Sequence, residues 1–338
     1  SNLLTPYLLH RMIGSEEVYR ATMSYLDWRV YGFFFSFIAV MFRAFYVSTT
    51  NTKILTANSV VMVLTNVVLN YILIFGKFGF PALGIAGAAI ASSISEAVSV
   101  LFFVIYTWKK IYYKKYGLFR FTRVDFRMLG QILSVSIWVM IQHGIAFGGW
   151  FIFFIAMEHL GERPLAITNV VRSISSFLFM FVNAFASTNS SLVSNLIGAG
   201  ESDRVLPLCR RMIGLCYAFV LPIGILIAMF PSTVLRIYTD NPDLIASSIS
   251  SLWVMLSSYL FAVPGFIYFF SVSGTGNTRR ALEIDMASIF VYVLYILYVA
   301  VWLRADVAVC WTTEYVYNIM ILSSFFYLWK GNWRNKKI

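Results

Sequence analysis

Charge is what this chain of 338 residues has least of: Asp, Glu, Lys and Arg together make up 12%. Soluble domains carry about 25%, so a water-facing surface could not be covered and an ordinary cytosolic enzyme is excluded. Acidic residues are the scarcer sign, 15 against 26 Lys and Arg. The three cysteines, Cys209, Cys216 and Cys310, include no CxxC pair, which argues against a disulfide framework or a zinc site and reads as small buried hydrophobes. No P-loop occurs, so direct ATP drive is not encoded. Gly274-Thr275-Gly276 lacks the third glycine and the flanking strand of a nucleotide fingerprint.

What fills the chain instead is apolar: 59% hydrophobic, 18% aromatic, mean hydropathy +0.76. A spanning helix needs roughly 20 mainly apolar residues, and nine such stretches lie at about 31–48, 54–75, 83–107, 130–156, 165–196, 207–230, 246–272, 282–303 and 306–329. Without strict apolar/polar alternation these are helices, not strands of a barrel. The expected fold is therefore an all-α polytopic membrane protein with nine transmembrane helices. Pro264-Gly265 predicts a kink, not a break, in the seventh.

Loop charge orients the spans. Lys109, Lys110, Lys114, Lys115, Arg120, Arg123 and Arg127 crowd the third connection, and Lys330, Arg334, Lys336 and Lys337 crowd the C-terminus. Putting both inside leaves an even number of crossings between them and brings Lys53, Arg204, Arg210, Arg211, Arg279 and Arg280 to the same side. Arg11, Arg20, Arg29, Lys77, Arg163, Arg236 and Arg304 then lie outside. The basic excess is a topology signal, and no nucleic-acid partner is expected. Ser1–Leu9 resembles the tail of an earlier span and not a signal peptide.

An internal repeat organises the chain. Ser48-Thr49-Thr50-Asn51-Thr52-Lys53 matches Gly274-Thr275-Gly276-Asn277-Thr278-Arg279 at an offset of 226 residues, and Glu96 and Glu314 fall at similar places in the last span of each copy. Residues 128–338 form a complete six-helix lobe, 1–107 a three-helix partial lobe and 108–127 a basic linker. By symmetry roughly 100 residues upstream are expected to be missing, although a complete nine-span protein also satisfies the charge pattern.

Two motifs carry a resemblance. Asn66-Val-Val-Leu-Asn70-Tyr-Ile-Leu-Ile-Phe-Gly76, then Pro81-Ala-Leu-Gly84-Ile-Ala-Gly87-Ala-Ala-Ile-Ala-Ser92, is similar to the multidrug and toxic compound extrusion (MATE) transporters, whose pattern runs N-x-x-L-D-x-x-L-I-F-G and P-x-L-G-x-x-G-A-A-x-A-T. Phe42-Arg43, Asn51-Thr52-Lys53 and Leu192–Gly200 support it in register. The resemblance implies a twelve-helix fold of two pseudo-symmetric lobes, here without the first three helices. It also implies a monomeric bacterial inner-membrane antiporter that expels organic cations and amphipathic drugs, in exchange for Na+ or H+, with the C-terminus cytoplasmic. No cofactor is expected beyond the coupling ion, and the partners are membrane lipid and small organic cations. The rivals are a lipid-linked oligosaccharide flippase of the same superfamily, a fragment that transports nothing, and a membrane transferase, for which the required metal-binding acidic cluster is lacking.

Ionisable and polar groups at bilayer depth cost a few kcal/mol each, so they are the candidate substrate- and ion-binding residues. Asn169, Arg172, Ser176, Asn183, Ser187 and Ser194 form one helical stripe in the fifth span; Arg172 either tethers helices or gates a cavity. Gln142 and His143 lie mid-span, His143 as the side chain suited to titrate near neutral pH or as a helix–helix hydrogen-bonding group. Asn66 and Asn70 sit one turn apart. In many prokaryotic relatives this pair is Asn and Asp, completed by a Thr where Ser92 stands here. An amide releases no proton, so proton coupling through the first lobe is in doubt. Glu96 and Glu314 either bind a cation or proton or pair with Arg43, Arg172 or a polar neighbour. Glu283 and Asp285 read as a charged helix start beside Arg279 and Arg280. Trp138, Phe147 and Trp253 are candidates to stack on flat or cationic substrates.

Overall fold

The computed structural model describes residues 16–110, 116–117, 125–331 and 333. Lys114, Lys115, Arg120, Arg123, Arg334, Lys336, Lys337, Arg11 and the Ser1–Leu9 segment lie outside the described residues. Within them every long element is a helix, as a lipid-embedded backbone requires when its N–H and C=O groups must pair within the segment. The chain separates into two compact units, Ser1–Arg123 and Val124–Ile338.

The first unit holds α1 (Glu16–Ser48), α2 (Lys53–Phe75) and α3 (Gly84–Lys110). α3 packs against both others, while α1 and α2 scarcely touch. Small side chains permit this, since Gly87, Ala89, Ala91, Ser93, Ser95 and Ser99 are the buried face of α3. A Cβ on Gly87 would stand 2.6 Å from the Leu73 carbonyl oxygen. At the other end of the packing the Tyr46 hydroxyl meets Thr107 at 2.6 Å in a fully buried contact.

The second unit holds α4 (Phe126–Leu160), α5 (Glu162–Gly198), α6 (Val205–Met229), the short α7 (Pro231–Leu235), α8 (Pro242–Gly274) and α9 (Thr278–Ile296), which runs into a π-helical turn, Leu297–Trp302. α5 against α8 is its most extensive packing. Asp125 caps α4 and Asn241 caps α8, each accepting two backbone N–H bonds. α8 runs unbroken through Pro264. Buried Asn189 of α5 donates to Ser271 of α8 at 2.7 Å and to Cys209 of α6 at 3.4 Å. All three cysteines are buried and free.

Among the described residues eight helices are long and apolar enough to cross a membrane. The ninth expected span is divided into α10 (Val307–Trp311), α11 (Thr313–Leu322) and α12 (Ser324–Lys330). Its two joints, Thr312 and Ser323, keep right-handed helical backbone angles, so these three pieces follow one helical path interrupted by locally tightened turns. The first span also starts earlier than hydropathy suggests, at Glu16. Arg29 lies within this helix, in the candidate span Tyr19–Ser48.

The repeat is visible in the backbone. α1 and α8 are both 33 residues long and coincide at the offset of 226, Glu16 with Pro242 and Ser48 with Gly274. The turn after each helix passes through the left-handed region at the equivalent residue, Thr50 with φ 59° and Gly276 with φ 77°.

Candidate functional site

In the first unit the polar groups of α2 and α3 hydrogen-bond to one another, although the Asn58 and Asn70 Oδ1 atoms are buried without a partner. Asn58 donates to Ser99 at 2.8 Å. Asn70 donates to Asn66 at 2.8 Å, and Asn66 in turn reaches Ser92 at 3.3 Å and Ser95 at 3.4 Å. Asn66, Asn70 and Ser92 are thus brought together as expected, with Ser95 as a further member. Glu96 does not pair with Arg43. Arg29 of α1 holds it in a bidentate ion pair, at 2.8 and 2.7 Å, with both side chains largely buried. Gly32 makes room, since a Cβ there would stand 2.6 Å from Glu96 Oε2.

The second unit contains a cavity of about 460 Å³ walled by α4, α5, α8, α9 and α11. Its walls are aromatic: Trp150 and Phe154 from α4, Phe179 from α5, Tyr259 and Phe266 from α8, and Tyr292 from α9. Two formal charges look into it. Arg172 lies over the Phe154 ring, 4.7 Å from its centroid, within the range of a cation–π contact. Glu314, in the first turn of α11, has no hydrogen-bond or ion-pair partner among the described residues. Next to it the Tyr292 hydroxyl and Asn318 Oδ1 are buried and also unpaired. An unpaired carboxylate costs free energy in such surroundings unless a cation or proton joins it.

Beside the cavity Asp285 of α9 is 2% exposed and accepts from the Tyr317 hydroxyl at 2.9 Å, with the Gln142 side chain of α4 close by. This corrects the reading of Asp285 as part of a charged helix start. Glu283 alone plays that role, paired with Arg279 at 3.4 Å and Arg280 at 2.5 Å. The error was one of helix phase: Asp285, Ser288, Ile289 and Tyr292 are all buried at three- and four-residue steps, a face that was legible in the sequence.

Among the sequence candidates, Arg172 and Glu314 therefore share one cavity, and Gln142 stands beside it through Asp285. His143, Asn169 and Asn183 are exposed and do not line it. Of the polar stripe of α5, which is offset from the buried face of Val171, Ile174, Leu178 and Val182, Ser176 lines the cavity with Arg172, and Ser194 meets α8 at Gly274. Phe147 lines the cavity; Trp138 lies instead under Arg279, and Trp253 donates to the Ala228 carbonyl oxygen at 3.4 Å. Tyr259, Tyr292, Tyr317 and Asn318 were missed, although Glu314, Tyr317 and Asn318 share an i, i+3, i+4 face.

The MatE family pattern matches residues 2–72 and 139–299. The probable multidrug resistance protein NorM of Thermotoga maritima is 28% identical over 239 residues, 70% of this chain and 50% of that protein. NorM of Photorhabdus laumondii is 25% identical over 258 residues, 75% of this chain and 56% of the relative. The chain thus spans about half the length of the curated relatives it matches. Among solved structures, an outward-facing multidrug resistance MATE family transporter of the MOP superfamily superposes with a TM-score of 0.86 over 97% of this chain and 73% of its own, at 17% identity. The Vibrio cholerae MATE transporter VcmN gives 0.82 over 98% and 76%, at 18% identity.

Proposed function

Because the chain belongs to the MatE family of membrane-spanning transporters, we propose that it exports organic cations and amphipathic drugs in exchange for Na+ or H+, and that the cavity of the second unit holds the cation. The observation that carries this reading is Glu314, a carboxylate without a partner among aromatic rings. A flat cation in that cavity gains the carboxylate's charge and the faces of Tyr292, Tyr259 and Trp150 together. A sodium ion gains the carboxylate and the orphaned oxygens of Tyr292 and Asn318, and a proton neutralises the same group. Drug and ion then compete for one charge, and each favours the state in which it binds better; that linkage is the source of exchange.

A flippase for lipid-linked oligosaccharides would want a strongly cationic cavity for pyrophosphate. Here Arg172 is balanced by Glu314 on the same lining, which favours the cation reading. The positive-inside pattern supports a cytoplasmic C-terminus; the bacterial inner-membrane location and the monomeric state are proposed from the family resemblance.

The test is ethidium uptake into everted membrane vesicles carrying the chain. Uptake should follow an imposed sodium or proton gradient and be lost in Glu314→Gln. Uptake that persists with both gradients collapsed overturns the exchange, and uptake undiminished in Glu314→Gln overturns the site.

A further inference from the structure

The second unit has another recess, of about 520 Å³, between the start of α9 and the end of α11 and α12. It lies at the basic end of this unit, where α4 carries Arg127 in its first turn, α6 carries Arg210 and Arg211 in its second, α9 carries Arg279 and Arg280 in its first, and α12 ends at Lys330. Its lining is graded along both walls. On α9, Arg280 stands at the rim, with Ile284 and Ala287 deeper; on the opposite wall Lys330 stands at the rim, with Phe326 and Met320 deeper. At 1.5 Å per helical residue the apolar residues lie about 6 to 15 Å further in than the two cations. Asn277 and Tyr327, joined at 2.7 Å, lie between the two walls. The first turn of α9 has no side-chain cap, and its positive dipole end adds to the rim. Glu283 is the opposing charge on the lining, and it is already held by Arg279 and Arg280.

We propose that this groove binds one anionic phospholipid, its phosphate between Arg280 and Lys330 and an acyl chain along Ile284, Ala287 and Met320. The charge complementarity is to a monoanionic phosphate, and the apolar depth behind it selects a lipid over a free anion. Basic recesses between spanning helices at the cytoplasmic face are suited to such headgroups. The site is separate from the cavity proposed to carry transport and does not depend on that reading.

The experiment is native mass spectrometry of the purified, delipidated chain in detergent with added phosphatidylglycerol or phosphatidylcholine. One phosphatidylglycerol should be retained in preference to phosphatidylcholine, and Arg280→Gln/Lys330→Gln should weaken it about thirtyfold, from roughly fivefold for each basic residue. Arg279→Gln, which removes a charge from the same helix end but outside the groove, should change it less than twofold. Ala287→Trp fills an exposed position in the groove without altering charge and should displace the lipid as effectively as the double variant. Equal retention of phosphatidylcholine, an equal loss in Arg279→Gln, displacement by millimolar inorganic phosphate, or full binding in Ala287→Trp would each overturn the proposal.

Discussion

Arg29 clasps Glu96 with two hydrogen bonds, and at the repeat offset of 226 the residue in the place of Arg29 is Met255. Gly32, which the ion pair leaves no space to enlarge, becomes Ser258 on the cavity wall. The two repeat-related carboxylates therefore live in opposite surroundings. Glu96 is neutralised by its own unit, while Glu314 opens on the cavity, and the repeat position of Arg29 is taken by Met255, a buried thioether. The exchange of Arg for Met removes the cation that the repeat position supplies in the first unit.

The first consequence is for stability. Removing one partner of a buried pair strands the other charge and costs about 3 kcal/mol, whereas removing both is close to neutral. Arg29→Gln is thus expected to lower the melting temperature in detergent by several degrees, and Arg29→Gln/Glu96→Gln to recover most of the loss. A double variant as unstable as the single would mean that packing, not charge, holds α1 to α3.

Glu314 should show the reverse signature. It has no partner to strand, so Glu314→Gln should leave the melting temperature unchanged or raise it, and should abolish saturable quenching of a cationic dye. Glu96→Gln should lower the melting temperature without changing dye quenching. Restoring a cation with Met255→Arg should also prevent dye binding; Met255→Leu, of similar volume, should not. If both Gln variants lose stability equally, Glu314 has a partner in the folded protein and its proposed role falls.

Backbone strain gives a third test. Thr50 is β-branched at φ 59°, where its repeat counterpart is Gly276 at φ 77°. A left-handed conformation costs an L-residue about 1–2 kcal/mol that glycine does not incur. Thr50→Gly is expected to raise stability by up to about 1 kcal/mol, since glycine's larger unfolded-state entropy offsets part of the relief. Gly276→Thr should lower it by about 1 kcal/mol or more. The denaturant midpoint of the two variants checks both signs.

Much of this was legible without coordinates, and the rest divides by physical cause. Hydropathy located the long helices because lipid imposes one rule on every span. It missed the start of α1, since Arg29 and Asp27 depress the local average although Arg29 is paired inside the helix bundle. It could not foresee that the last span is divided at Thr312 and Ser323, because local turn tightening leaves apolar content unchanged. Within the site, single-helix periodicity found Arg172 and the Asn66–Asn70 pair. Which carboxylate was free depended on a residue 67 positions away in one copy, Arg29 for Glu96, and no periodicity links helices. Asp285 was misjudged because its neighbours Arg279, Arg280 and Glu283 suggested an exposed helix start, when two steps of about 100° from Glu283 turn it inward.

The fourth prediction concerns the contact between α5 and α8 on which the cavity walls stand. Gly274, the last residue of α8, approaches α5 so closely that an added Cβ would lie 2.5 Å from the Ser190 carbonyl oxygen and 3.1 Å from its Cα, and Ser194 donates to the Gly274 carbonyl oxygen at 2.7 Å. The obstacle is backbone, which cannot rotate away as a side chain would, so Gly274→Ala must separate the helices or break the Ser194 bond. Overpacking of this kind costs about 1–3 kcal/mol. Gly214 on α6 is exposed with nothing within 4 Å of its Cβ position, and Gly214→Ala should be neutral or stabilising by up to about 1 kcal/mol. Both substitutions add one methyl group to a helix, so propensity favours each equally. A melting temperature that falls for Gly274→Ala and holds for Gly214→Ala isolates the α5–α8 approach as the cause. Equal behaviour would mean that these helices have room to yield, and the walls presenting Arg172 and Tyr259 to the cavity would be less firmly fixed than the packing indicates.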